Sequence, residues 1–189
     1  MNNKTESLKE KLRQALSSTA RVISGDLGVN PKKKIKNSEE QDLIQLENLN
    51  SKSDFIKARA ETDSKALKIK FSNETIFKKN LPASSSCKSL YTITEKIRYE
   101  KLGSKMLKGI DKNLRDNYIQ MINHKRKDQI KSKEDVPVIE AFELYMLKNF
   151  HNIKLNSLTS KMLNFWEKDF DKSIFEHIEF FKQNLEDQN

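Results

Sequence analysis

Cysteine, proline and glycine are all scarce in this chain of 189 residues, which holds one, three and four of them. A single cysteine, Cys87, forms no intrachain disulfide and offers no cluster for zinc or an iron–sulfur centre, so a reducing compartment is expected. With so few glycines there is neither a GxxxxGK motif followed by Ser or Thr nor a GxGxxG motif. The usual phosphate-cradling loops are therefore excluded, and ATP binding by the chain alone with them. No run reaches the roughly 20 apolar residues of a membrane span. The N-terminal stretch MNNKTESLKEKLRQALSSTARVI is charged and heptad-like where a secretory signal would be continuously apolar. A cytoplasmic protein without membrane contact is the expectation. Histidine is scarce too. His124, His151 and His177 lie far apart with no HExxH pairing, and read as surface or helix-end residues, not metal ligands. No GxSxG elbow occurs, and Cys87, with no activating partner in sequence, reads as a small buried residue on a helix. No catalytic, metal or cofactor-binding residue is assigned.

What is present is charge and helical periodicity. Charged residues make up 33% and hydrophobic residues 35%, with a formal net charge of +9. The excess suits an acidic partner. Leu8, Leu12, Ala15, Leu16, Thr19, Val22 and Ile23 repeat at three- and four-residue steps, which predicts an amphipathic helix over 1–24. A polar linker over 25–53 follows, carrying the basic knot Lys32 to Lys36. A helical domain over 54–185 is then expected, opened by Ser53 or Asp54 as a cap and interrupted near Pro82 and the Ser84 to Ser86 run. Within it, the helix from about Cys87 to Leu102 either ends at Gly103 or continues through it. The basic connector HKRKDQIKSKED comes next, then a helix opened near Asp135 and Pro137. Asn156 or Ser157 caps a further one, whose aromatics keep helical spacing and read as core. Residues 186–189 form a tail. The predicted fold class is all-α, an irregular multi-helix bundle with a long polar loop after the first helix. Neither basic segment carries base-stacking aromatics, so solvated loops are favoured first, contact with an acidic protein segment second and nucleic acid third.

The stretch EKIRYEKLGSK, 95–105, poses a sharper question. At 100° per residue Leu90, Ile93, Ile97 and Glu100 share one side of a helix, while Tyr91, Glu95, Arg98 and Leu102 share another. A helix apolar on two sides is packed on two sides, and its charges then need partners, because an unpaired buried charge costs several kcal/mol. Glu95 and Arg98, at i and i+3, can pair directly. Glu100 requires a partner from another helix.

This stretch, with ALKIKFSNETIFKKNLP before it, resembles the N-terminal region of the CobT subunit of aerobic, ATP-dependent cobaltochelatase. The family's series of Glu, Arg, Glu, Gly-Ser, Gly and Asn-Leu matches Glu95, Arg98, Glu100, Gly103, Ser104, Gly109, Asn113 and Leu114. The likeness continues through VIEAFELYMLKNF and the Trp166 helix, and so covers most of the chain. It implies a module in an oligomeric complex with an AAA+ ATPase subunit and a large macrocycle-binding subunit. That complex inserts cobalt into hydrogenobyrinic acid a,c-diamide in cobalamin synthesis, and ATP, magnesium and cobalt are handled by the complex. Family members continue through an acidic linker into a von Willebrand A domain with a DxSxS site. No DxSxS occurs here, so a fragment or shortened relative is expected, and no magnesium-site residue is assigned. On this reading Glu95, Arg98, Glu100, Gly103, Ser104, Gly109 and Asn113 are structural or interface residues, the two glycines permitting close approach. Two alternatives remain open: a basic helical nucleic-acid-binding or adaptor protein, and a related ATPase and von Willebrand A system acting on another metalloenzyme.

Overall fold

A computed structural model describes residues 2–25, 51–124 and 130–188, with side chains from residue 9 onward. Among these residues the fold is all-α, as the sequence predicts. The helices are α1 (Asn2–Ser24), α2 (Lys52–Phe71), α3 (Glu74–Lys79), α4 (Ser85–Met106), α5 (Lys108–His124), α6 (Val138–His151), α7 (Ser157–Asn164) and α8 (Glu167–Gln183), with a 3-10 turn at Lys133–Asp135 before α6. The basic knot Lys32 to Lys36 and most of the predicted linker lie outside the described residues, as does the middle of the connector after His124.

Local chemistry sets the boundaries. Ser51, not Ser53 or Asp54, opens α2: its hydroxyl accepts from the Asp54 amide, and the Asp54 carboxylate accepts from the Ser51 amide. This reciprocal capping satisfies two orphan donors and makes Asp54 the third helical residue. Asn73 opens α3 by accepting from Thr75 and Ile76. Asn156 opens α7 by accepting from the Thr159 amide, and its side-chain NH2 also donates to the Ile122 carbonyl near the end of α5. Helix α4 does not end at Gly103. It runs to Met106 and breaks at Leu107, whose extended backbone (φ −139°, ψ 122°) turns the chain directly into α5.

α4 sits at the centre, against α2, α5 and α6, while α1 packs on α2 and α7 and α8 cover α6. Consecutive residues Ile97 to Glu100, with Leu102 and Gly103, are buried on this helix, as the two-sided apolar pattern anticipates. The core is built from Ile97, Leu67, Leu114, Tyr118, Leu144, Leu147 and Phe150, among others. The aromatics of α8 are only partly core: Phe170 is buried against Phe142 and Tyr145, whereas Phe175 and Phe180 are exposed. Cys87 also departs from expectation. It is exposed, because it lies in the first turn of α4, before that helix enters the packing.

Gly103 marks the closest approach of α2 to α4. A Cβ there would lie 2.4 Å from both Leu67 methyl carbons and 2.9 Å from its Cγ, and Leu67 is itself fully buried. Alanine gains about 1 kcal/mol of helix propensity, yet overpacking a tight core costs about 1–3 kcal/mol. Gly103→Ala is accordingly expected to destabilise by about 1 kcal/mol net. Around Gly109 none of the described residues lies within 4 Å of the corresponding Cβ position. No close approach is seen there, contrary to expectation, and Gly109→Ala is expected to be neutral or to stabilise by up to about 1 kcal/mol. Urea denaturation of the two variants beside the parent checks the opposed signs.

Candidate functional site

The three charged residues of the 95–105 stretch are all buried on α4. Arg98 is the hub. Its Nε donates to Glu95 Oε2 at 2.7 Å and its Nη2 to Glu95 Oε1 at 2.9 Å, a bidentate pair. Nη2 also donates to the Phe71 carbonyl at 2.6 Å, and Nη1 to the Leu185 carbonyl at 2.8 Å. Phe71 ends α2 and Leu185 follows α8, so one guanidinium satisfies carbonyls at the ends of two other elements. A planar fork with several donors is suited to this task, and an ammonium is not. Glu95 Oε1 accepts further from Ser72 Oγ and from Gln188 Nε2, the latter at 2.9 Å. Gln188 in turn accepts from the Asn73 amide at 2.6 Å. The segment after α8 is thereby fastened across the α2–α3 junction.

Glu100 faces the other way. Its Oε1 accepts from Ser64 Oγ on α2 at 2.5 Å and its Oε2 from the Tyr118 hydroxyl on α5. The expected partners from other helices are present, but they are neutral hydroxyls and not a cation. Burial raises the Glu100 carboxyl above its usual range, opposed by nearby Lys96 and the two hydroxyl contacts. Tyr118 is likewise raised, first by burial and then by the Glu100 charge. The pair is a desolvated polar network whose members keep one another satisfied.

Asn113 Nδ2 donates to Asp63 Oδ2 at 2.7 Å, joining α5 to α2. Burial raises the Asp63 carboxyl, and this bond and Arg59 work against the rise. Asn113 and Gly109 line an open groove of about 440 Å³ with Val22, Ile23, Arg59, Asp63 and Leu107. Ser104 Oγ is buried with no hydrogen-bond partner among the described residues. The named residues thus fall into separate places: Glu95 and Arg98 under the segment after α8, Glu100 and Gly103 between α4 and its neighbours, Gly109 and Asn113 at the groove. Sequence reasoning missed Ser64, Ser72, Asp63, Tyr118 and Gln188. A signal existed for Ser64 and Asp63, polar residues beside the apolar Ala60, Ala66 and Leu67 positions of α2; Gln188 carried none.

A family model described as cobalamin biosynthesis protein CobT matches residues 6–189. The chain belongs to the CobT family. Membership ties it to cobalamin biosynthesis, and the match extends the likeness read around Glu95 to Leu114 over nearly the whole chain. Searches of curated proteins and of solved structures found no match. Among the described residues of this CobT-family chain, no group of three or more His, Cys, Asp and Glu residues is arranged to hold a metal ion. No described helix is long and apolar enough to cross a membrane. His151 ends α6 and is buried beside the Tyr118 ring, and among the described residues neither of its ring nitrogens has a hydrogen-bond partner. Burial, with help from Lys101, pushes its pKa down to about 4, which keeps the imidazole neutral.

Proposed function

We propose that this chain is the N-terminal helical module of a CobT-like cobaltochelatase subunit. In this reading it assembles with an AAA+ ATPase subunit and a large macrocycle-binding subunit for ATP-dependent insertion of cobalt into hydrogenobyrinic acid a,c-diamide. The observation that carries the reading is the family match over residues 6–189. The arrangement of charges supports a contact-making role. Arg98, Glu95 and Glu100 spend their hydrogen bonds on holding helices together, which leaves them poorly placed to act on a substrate. ATP, magnesium and cobalt are assigned to the assembled complex.

The purified chain alone is expected neither to hydrolyse ATP nor to insert cobalt, and any such activity is expected to require the ATPase and macrocycle-binding subunits. A malachite-green phosphate assay and the absorbance change of the cobalt-loaded macrocycle read the two steps. Steady ATP turnover by the chain alone, surviving removal of contaminating ATPases, would overturn the assignment. The net charge of +9 favours one competing reading, a basic nucleic-acid-binding or adaptor protein. Salt-sensitive retention on DNA or RNA without the ATPase subunit, together with no ATPase binding, would support that reading instead.

A further inference from the structure

Helices α1 and α5 each pack on α2 but not on one another. The slot between them is the groove of about 440 Å³ near Gly109. Its base is closed, since Ile23 and Ile110 are buried and Asp63, 2% exposed, is tied to Asn113. Its walls are open and apolar. Val22 is 61% exposed and Leu107 46%, and Met106, next to Leu107 in the chain, is 39% exposed. Three of the eight exposed large hydrophobic side chains among the described residues thus gather at one place, a concentration that marks a docking surface more than scattered exposure does. Gly109 adds no side chain to the wall, and the described residues leave its Cβ position open. A slot between two helices that rest on a third has the shape that a further helix fills by laying its ridge into the groove.

The chain itself supplies an occupant. Residues 26–50, outside the described part, leave from Gly25, just past Val22 on the groove wall, and return at Ser51, the cap of α2. They end in SEEQDLIQLENLN. There Leu43, Leu46 and Leu49 recur every third residue with Ile44 beside them, which predicts a short amphipathic helix over 42–49. Glu39, Glu40 and Asp42 stand at its start. The lengths agree: eight helical residues span about 12 Å, and Arg59, eight positions after Ser51, lies about as far along α2. A helix that doubles back on α2 from Asn50 therefore brings its leucines to the apolar walls and its acidic end to Arg59. Arg59, with Lys108 and Lys112 on either side of Gly109, is exposed, and among the described residues none of the three is in a salt bridge. Acids on the segment and bases at the groove are complementary.

We propose that the groove between α1, α2 and α5 is the docking site of residues 39–49 of this same chain, with the leucines against Val22 and Leu107 and the acidic residues against Arg59, Lys108 and Lys112. The short tether at Asn50 gives this segment a higher effective concentration at the groove than a free competitor has. The site lies apart from the Arg98 hub, and it does not depend on the chelatase reading.

Disulfide trapping in the full chain tests it, in a Cys87→Ser background because Cys87 is exposed. One variant carries Leu46→Cys with Leu107→Cys, on the far wall of the groove. The other carries Leu46→Cys with Lys57→Cys, an exposed position of α2 that does not line the groove and is nearer to Leu46 in the chain. Tethering alone favours the Lys57 pair, so docking is expected to reverse the order, with the Leu107 pair bridging about tenfold faster under mild oxidation. Adding Gly109→Phe, which fills the groove without meeting described neighbours, should slow that bridge about tenfold. Arg59→Glu should slow it about threefold, the effect of one exposed charge pair, and Asp42→Lys in the same chain should restore it. Equal rates for the two pairs, or a faster Lys57 pair, would overturn the proposal. Bridges between chains in place of bridges within one would also overturn it, since the groove would then take a second copy. Circular dichroism verifies folding, and if Gly109→Phe is misfolded, the two cysteine pairs and the exposed Arg59 variant decide the matter.

Discussion

Arg98→Ala is expected to lower the unfolding free energy by about 3–5 kcal/mol, the range for breaking a buried ion pair by removing one partner. The physical reason is the count of groups that lose their donor. Glu95 is left buried with only the Ser72 hydroxyl and the Gln188 amide, neither of which offsets a full charge. The Phe71 and Leu185 carbonyls lose the guanidinium altogether. Arg98→Lys should recover only part of the loss, because one ammonium cannot reach both Glu95 oxygens and two carbonyls from the same stem. Urea denaturation separates this from the behaviour of an exposed pair, for which both variants would stay under about 1 kcal/mol. Two near-neutral results would mean that the clasp contributes nothing to folding.

Glu100 should respond to chemistry more than to charge. Glu100→Ala removes the acceptor of both the Ser64 and Tyr118 hydroxyls and opens a cavity, at an expected cost of about 3 kcal/mol. Glu100→Gln keeps a carbonyl acceptor and removes a charge that burial penalises, so it should lie within about 1 kcal/mol of the parent near neutral pH. The sign of the pH dependence follows from the raised carboxyl. Between the unfolded value near 4.5 and its raised folded value, the native state holds more protons than the unfolded chain, so stability falls as pH rises through that window. His151 acts in the opposite sense. Its folded value of about 4 against 6.5 unfolded means stability is lost as pH falls through that interval. The difference between Glu100→Gln and parent cancels the His151 contribution. That difference should favour the glutamine increasingly as pH rises from about 4.5. A difference that stays flat with pH would show that Glu100 titrates normally in the fold.

The legible parts of this protein were those with a periodic signal. Apolar residues on two sides of α4 marked it as the central helix, and the i,i+3 spacing of Glu95 and Arg98 marked their pairing. What stayed hidden depended on where distant segments meet. Nothing near Arg98 in sequence announces that Phe71 and Leu185 present their carbonyls to it. The cap of α2 lies two or three residues before the Ser53 or Asp54 that the sequence suggests, because Ser51, Ser53 and Asp54 are all good capping types and only the reciprocal bond between Ser51 and Asp54 chooses among them. The sequence places Cys87 inside because small residues are usually buried, a rule that says nothing about a helix's first exposed turn. Leu107 is a break without a breaker: no glycine or proline marks it, and the turn comes from packing α5 back against α4.

The bonds from Arg98 to Phe71 and to Leu185 span 27 and 87 positions of chain. Both anchor points are therefore released by the same opening event. In hydrogen-exchange measurements, amides around the end of α2, the middle of α4 and the stretch after α8 should open as one cooperative unit, although nothing in the primary order makes them neighbours. Opening of the stretch after α8 is then not a local affair, since detachment of Leu185 and Gln188 uncovers the charge pair and admits water to the middle of α4.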